Sequence, residues 1–228
     1  MKKRLFLNLS LAYGVAALIG KLLIATPALA GAHSTTGPVI VAMGDSLTQG
    51  YGLLEDDGFV PQLRGWLAAN GVDEFRVINA GVSGDTTAGG LSRAAWTLTP
   101  DVDGMIVALG GNDLLRGIDP AVTRSNIDGI LAEAQKAGVA VLLVGMQAPG
   151  NYGPEFKRDF EAIWPDMAAK YDTLLVESFF VGLGESADPA QMRDLFQPDG
   201  IHPNAEGVRR IVEGLGPHVL ELIERVSD

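Results

Sequence analysis

Val39-Ile40-Val41-Ala42-Met43-Gly44-Asp45-Ser46-Leu47 is the stretch from which the fold of this chain is read. Five apolar residues, three of them β-branched, stop abruptly at Gly-Asp-Ser. An apolar run this short, closed by turn residues, reads as a strand buried on both faces rather than as a helix. Working outward, similar runs recur at 76–79, 105–109, 140–145 and 173–176. Segments near 59–70, 86–98, 120–137 and 155–171 carry helical spacing between them, and a last helix is expected over 205–226. Asp119-Pro120 marks one helix start and Lys136-Ala137-Gly138 its end.

Strand–helix alternation implies parallel strands with helices on both faces, because a parallel connection has to cross over the sheet. The expectation is an α/β protein, a three-layer α/β/α sandwich on a five-stranded parallel, flavodoxin-like sheet with right-handed crossovers. Such sheets gather ligands at the carboxyl ends of their strands. Four Gly- and polar-rich stretches fall there: Gly44-Asp45-Ser46-Leu47, Gly81-Val82-Ser83-Gly84-Asp85, Gly110-Gly111-Asn112-Asp113 and the segment 145–152. No internal repeat or low-complexity block interrupts the pattern, so one domain is expected over 38–228.

The beginning of the chain reads differently. Lys2, Lys3 and Arg4 precede an apolar stretch over 5–20, and Ala28-Leu29-Ala30 offers a small-x-small cleavage site. This is the order of a secretory signal peptide over 1–30, with 31–37 as a flexible tail and an exported, periplasmic or secreted, mature protein. An uncleaved anchor is the rival reading, and no later stretch is apolar enough to span a bilayer. Four positive and no negative charges lie in 1–30, so their removal takes the net charge from −11 to −15. A chain so acidic has no electrostatic footprint for nucleic acid and is repelled by anionic membrane surfaces. With no cysteine, it has no disulfide, thiolate nucleophile or cysteine-ligated metal.

Three histidines are present. His33 falls in the expected tail and His218 inside the last helix, where a partly exposed structural role fits. His202 stands in the turn-rich loop Phe196-Gln197-Pro198-Asp199-Gly200-Ile201-His202-Pro203-Asn204, where an imidazole is suited to proton transfer. Asp199, three residues earlier, is spaced to reach its Nδ1, although an Asx-type turn accounts for the same residues. Ser46 follows the first strand, with Gly44 expected to supply a backbone conformation closed to other residues. A helix N-cap is the bland alternative for Ser46. The Gly-x-Ser-x-Gly elbow is absent, since Thr48 stands where its second glycine would be. Asp45, Asp85 and Asp113 invite a hard-cation site, set against the reading that each caps a helix or braces a loop.

Four blocks in order carry a resemblance. Gly44-Asp45-Ser46-Leu47, Gly84 within Ala80-Gly81-Val82-Ser83-Gly84-Asp85-Thr86, Gly110-Gly111-Asn112-Asp113 and Asp199-Gly200-Ile201-His202-Pro203-Asn204 resemble the SGNH, or GDSL, hydrolases. Gly111-Asn112-Asp113-Leu114-Leu115-Arg116-Gly117 and Pro149-Gly150-Asn151-Tyr152-Gly153 are similar to the periplasmic arylesterase, thioesterase I and lysophospholipase L1 subgroup. The resemblance implies Ser46 as nucleophile, His202 as base and Asp199 as its orienting carboxylate. It also implies an oxyanion hole from the N–H groups of Ser46 and Gly84 and the amide of Asn112. The function implied is a serine esterase acting on aryl or alkyl esters, lysophospholipids or thioesters, with strong negative charge and export disfavouring acyl-CoA.

Leu114, Leu115, Ala148 and Pro149 are the expected substrate-binding residues, with Leu53, Leu54, Ile118 and the rest of the Met146–Pro149 loop as further candidates. Related enzymes carry a larger apolar residue where Ala148 aligns. A carbohydrate O-acetyl esterase or acetyltransferase using an aromatic cleft of Tyr51, Trp96 and Tyr152 is the first alternative, and a non-catalytic binding module the second. No cofactor and no metal are expected, the glycine clusters lacking both the Walker and the dinucleotide pattern. The partner expected is a small-molecule or lipid ester, met by a monomer.

Overall fold

A computed structural model describes residues 37–184 and 193–227. The expected signal segment, His33 and all but the last residue of the tail lie outside them. Five strands, β1 (Val39–Gly44), β2 (Arg76–Gly81), β3 (Gly104–Ala108), β4 (Ala140–Val144) and β5 (Leu174–Val176), form one sheet in the order β2-β1-β3-β4-β5. Every pairing is parallel. Sequence and structure agree on the architecture, with strand limits shifted by at most two residues.

Alternation along β1 sends its side chains to two cores, as the two-residue period of a strand requires. Val39, Val41 and Met43 join β3 and β4 residues in a cluster with Ile127, Ile130, Phe160 and Trp164. These come from α5 (Pro120–Ala137), α6 (Pro154–Glu161) and α7 (Ile163–Tyr171); α3 (Thr87–Thr97) adds Ala94. Ile40 and Ala42 face the opposite cluster with Phe59, Leu63, Ile211 and Leu215, from α2 (Phe59–Ala69) and α8 (Ala205–Ser227). Ile106 and Leu63 are 1% and 0% exposed, so truncating either to alanine costs about 2–5 kcal/mol.

The expected helix over 155–171 is broken between α6 and α7. Pro165 explains the break: in a continuous helix its ring would meet the Glu161 carbonyl, whereas in the first turn of α7 it needs no N–H partner. Two further helices were not expected, α1 (Ser46–Gln49) and α4 (Gly111–Leu115). Each begins immediately after a strand, at the rim where ligands of parallel sheets gather. The register sets Gly44 beside Gly81 on one side and Ala108 on the other. Three strand ends therefore present α1, the loop after β2 and α4 side by side.

Candidate active site

Ser46 is the first residue of α1, so its N–H has no helical acceptor. Asp45 caps the helix, its side chain accepting from the Leu47 N–H at 3.0 Å. Gly44 is required here for space and not, as expected from sequence, for an unusual backbone conformation. Its φ is not among the positive ones, and a Cβ would fall 2.0 Å from Thr48 Oγ1 and 2.9 Å from the Ala108 carbonyl.

His202 and Asp199 meet Ser46 from the loop before α8. The His202 Nε2 lies 2.8 Å from Ser46 Oγ, and its Nδ1 lies 2.6 Å from Asp199 Oδ2. The other carboxylate oxygen accepts the N–H groups of Ile201 at 2.9 Å and His202 at 3.0 Å. The backbone N–H of His202, then that of Ile201, then the imidazole hold the Asp199 carboxyl down at a pKa of about 2. It is therefore ionised at neutral pH, and both nitrogens of the His202 ring have a partner.

Gly84 occupies the third position of a turn closed by the Asp85 N–H donating to the Val82 carbonyl at 3.0 Å, with φ at +82°. That is the left-handed value a type II turn demands there. A Cβ would meet nothing closer than Arg116 Nη2 at 3.9 Å, so conformation rather than room selects glycine. From α4 and its C-cap, Asn112 Nδ2 donates to the Asp85 carbonyl at 2.9 Å, and Arg116 Nη2 to the Gly84 carbonyl at 2.9 Å. Asn112 Nδ2 also lies 3.3 Å from Asp45 Oδ2. Ser46, Gly84, Asn112 and His202 all line one cavity of about 500 Å³.

The three carboxylates weighed for a cation are engaged elsewhere. Asp45 is only 2% exposed, and burial pushes its carboxyl up to a pKa of about 6 against the bonds from Leu47 and Asn112. Asp85 pairs with Arg93 at 2.8 Å. Asp113 accepts from Thr87 N and Oγ1 at 2.8 and 2.5 Å and from Thr123 Oγ1 at 3.2 Å. The arrangement favours the capping and bracing reading of all three.

Of the expected substrate-binding residues, Leu114, Leu115 and Pro149 line the cavity and Ala148 does not. Ala148 is 2% exposed, with its N–H on Glu161 Oε1 and its carbonyl on Lys157 Nζ, so the loop turns it into the protein. Met146 and Gln147, from the same candidate loop, do face the cavity, as do Phe180 and Phe196, which the sequence did not single out as lining. Leu53 packs against the α2–α8 core, and Leu54, Ile118 and Trp96 stand outside the cavity wall. Of the three aromatic residues proposed for a sugar cleft, Tyr51 alone lines it. Arg93 was also missed: it donates to the carbonyls of Gly44 at 3.0 Å and Ala80 at 2.8 Å, tying β1 to β2 beside Ser46. Nothing in local sequence marks such a link.

Comparison with known proteins bears on this arrangement. A model of the GDSL-like Lipase/Acylhydrolase family matches residues 42–210. Esterase TesA of Pseudomonas aeruginosa is 37% identical over 185 residues, covering 81% of this chain and 89% of that protein. Thioesterase 1/protease 1/lysophospholipase L1 of Escherichia coli is 31% identical over 197 residues, covering 86% and 89%. Among solved structures, that of AlinE4, an SGNH-hydrolase family esterase, is 43% identical with a TM-score of 0.66, covering 82% of this chain and 97% of that one.

Proposed function

We propose, for a chain that belongs to the GDSL-like lipase/acylhydrolase family, that esters are cleaved at Ser46 through an acyl-enzyme. By that kinship the chain is a carboxylic ester hydrolase. The observation that carries the finer reading is the unbroken relay Asp199–His202–Ser46, at 2.6 and 2.8 Å, opening on the cavity. His202 takes the Ser46 proton as Oγ attacks the ester carbonyl, and returns it to the departing alcohol. Water, deprotonated by the same imidazole, then releases the acid. Asp199 fixes the imidazole tautomer and offsets the imidazolium charge as it forms.

The developing oxyanion is received by the N–H groups of Ser46 and Gly84 and by Asn112 Nδ2, each donor worth about 3–4 kcal/mol. Of the two bonds that Asn112 makes, the 3.3 Å contact with Asp45 is the weaker, and its proton is the one redirected to the oxyanion. The largely apolar wall, with Leu114, Leu115, Met146 and Phe196, suits the acyl part of aryl and alkyl esters, lysophospholipids or thioesters. Export under the segment 1–30 is supported by the charge and cleavage pattern of the sequence, and a hydrolase domain over 38–228 acting as a monomer completes the proposal.

Hydrolysis of p-nitrophenyl acetate and a longer homologue by the wild type and by Ser46→Ala tests it. Turnover by the wild type alone is expected; equal turnover by both proteins would remove Ser46 from the mechanism.

A further inference from the structure

Ser46 at the start of α1 and His202 in the loop before α8 are 156 residues apart, yet their side chains meet at 2.8 Å. An error of about 1 Å in such a pair costs on the order of a hundredfold in rate. Something must therefore hold the two segments in register. The Ser46 carbonyl accepts the N–H groups of Gly50 at 3.0 Å and Tyr51 at 3.1 Å, which makes the nucleophile and Tyr51 one tight turn. On the other side, residues 196–203 form a second closed loop, bridged between Phe196 and Pro203.

The Tyr51 ring packs against the His202 imidazole, centroids 4.7 Å apart, and one side chain ties the two segments by hydrogen bonds. Gln197 Nε2 donates to the Tyr51 carbonyl at 2.8 Å and to the Pro203 carbonyl at 3.0 Å. Its backbone N–H donates to the His202 carbonyl at 2.7 Å, and its carbonyl accepts from Gly200 at 2.9 Å. A single amide thus spends both protons on two carbonyls, one beside the nucleophile and one following the base. Gly52 is shaped around this group: a Cβ there would fall 2.2 Å from Gln197 Oε1. Gln62, which ties Asp57 to Ala205, is a second link across the same seam but touches neither the Tyr51 turn nor the loop of His202.

We propose that Gln197 is a positioning residue that sets the Ser46–His202 distance by strapping the Tyr51 turn to the His202 loop. The inference rests on the reading of Ser46 and His202 as nucleophile and base. The requirement is for two donors on one short planar group. Glutamate presents lone pairs to both carbonyls, and methionine has the length without the donors.

The test is a set of kinetic measurements with p-nitrophenyl acetate on Gln197→Met and Gln197→Glu, alone and combined with His202→Ala. Each single variant is expected to lose about 10–100-fold in kcat with KM within threefold of wild type. In the His202→Ala background the same changes should cost less than twofold, because the strap has no base left to position. Wild-type kcat in both single variants, or an equal loss with and without His202, would overturn the proposal. The underlying reading fails separately, and takes this inference with it, if Ser46→Ala and His202→Ala themselves turn over at the wild-type rate.

Discussion

Asp199 holds His202 twice, once at the imidazole Nδ1 at 2.6 Å and once at the backbone N–H at 3.0 Å. The second bond belongs to the turn, and the first to the ring. Asp199→Asn separates them, since an amide oxygen still accepts from the backbone while its NH2 group faces Nδ1. The imidazole is then held in the wrong tautomer. A fall in kcat of about 10³–10⁴-fold is expected with little change in Tm, measured by steady-state kinetics beside thermal unfolding. A loss of less than tenfold would show that Asp199 serves the turn only.

Gly84→Ala should act on the peptide that joins Ser83 to Gly84, whose N–H is the proposed oxyanion donor. The orientation of that peptide is what separates a type II turn from a type I turn. Alanine has room but pays about 1–2 kcal/mol for a φ of +82°, and turning the peptide over relieves the strain. The N–H then points away from the oxyanion. We expect kcat to drop about 10²–10³-fold in a folded protein, with KM little changed. Full activity would place the oxyanion elsewhere.

Asp45→Asn should stabilise the protein at neutral pH and not in acid. The buried carboxyl has a pKa of about 6 in the fold against an ordinary value of 3.8. Its protonated form favours the folded state below about pH 4, and that contribution is lost as pH rises through 6. A shift of this size is worth at most about 3 kcal/mol. Asparagine caps a helix as well as aspartate and carries no charge to bury; its NH2 group faces Asn112 Nδ2, so only the weak 3.3 Å contact is given up. Thermal unfolding at pH 7.5 should show Tm raised on the order of 5 °C, and at pH 4 no difference. A Tm lowered at both values would contradict this.

Met146 and Gln147 line both the main cavity and a second one of about 230 Å³, whose other walls are Trp164, Pro165, Leu175 and the carboxylates Glu161 and Glu177. Met146→Ala should join them and admit more acyl chain. The ratio of kcat/KM for octanoyl over acetyl p-nitrophenyl ester is expected to rise about tenfold, the worth of one or two extra methylenes in an apolar pocket. An unchanged ratio would mean that the acyl chain leaves by another route.

How much of this was legible in the sequence depended on range. The five strands and the long helices announce themselves through apolar runs and helical spacing, which are local. The relay was legible because Asp199 and His202 lie in one turn and few other histidines compete. The helices α1 and α4, of four and five residues, are too short to show a period. Ala148 was misplaced because the direction of one loop residue turns on its bonds to Lys157 and Glu161, a helix turn or more away in the chain. Gln197 and Arg93 were missed as ties for the same reason: each acts on backbone carbonyls of segments distant in sequence, and such carbonyls carry no residue identity.

The most direct measurement of the central claim is the site of covalent capture by a p-nitrophenyl phosphonate ester, read by intact mass and peptide mapping. The account requires one adduct per chain, on Ser46, absent from Ser46→Ala and slowed severely in His202→Ala. Ester turnover without capture at Ser46, or capture on another residue that abolishes activity, would contradict it.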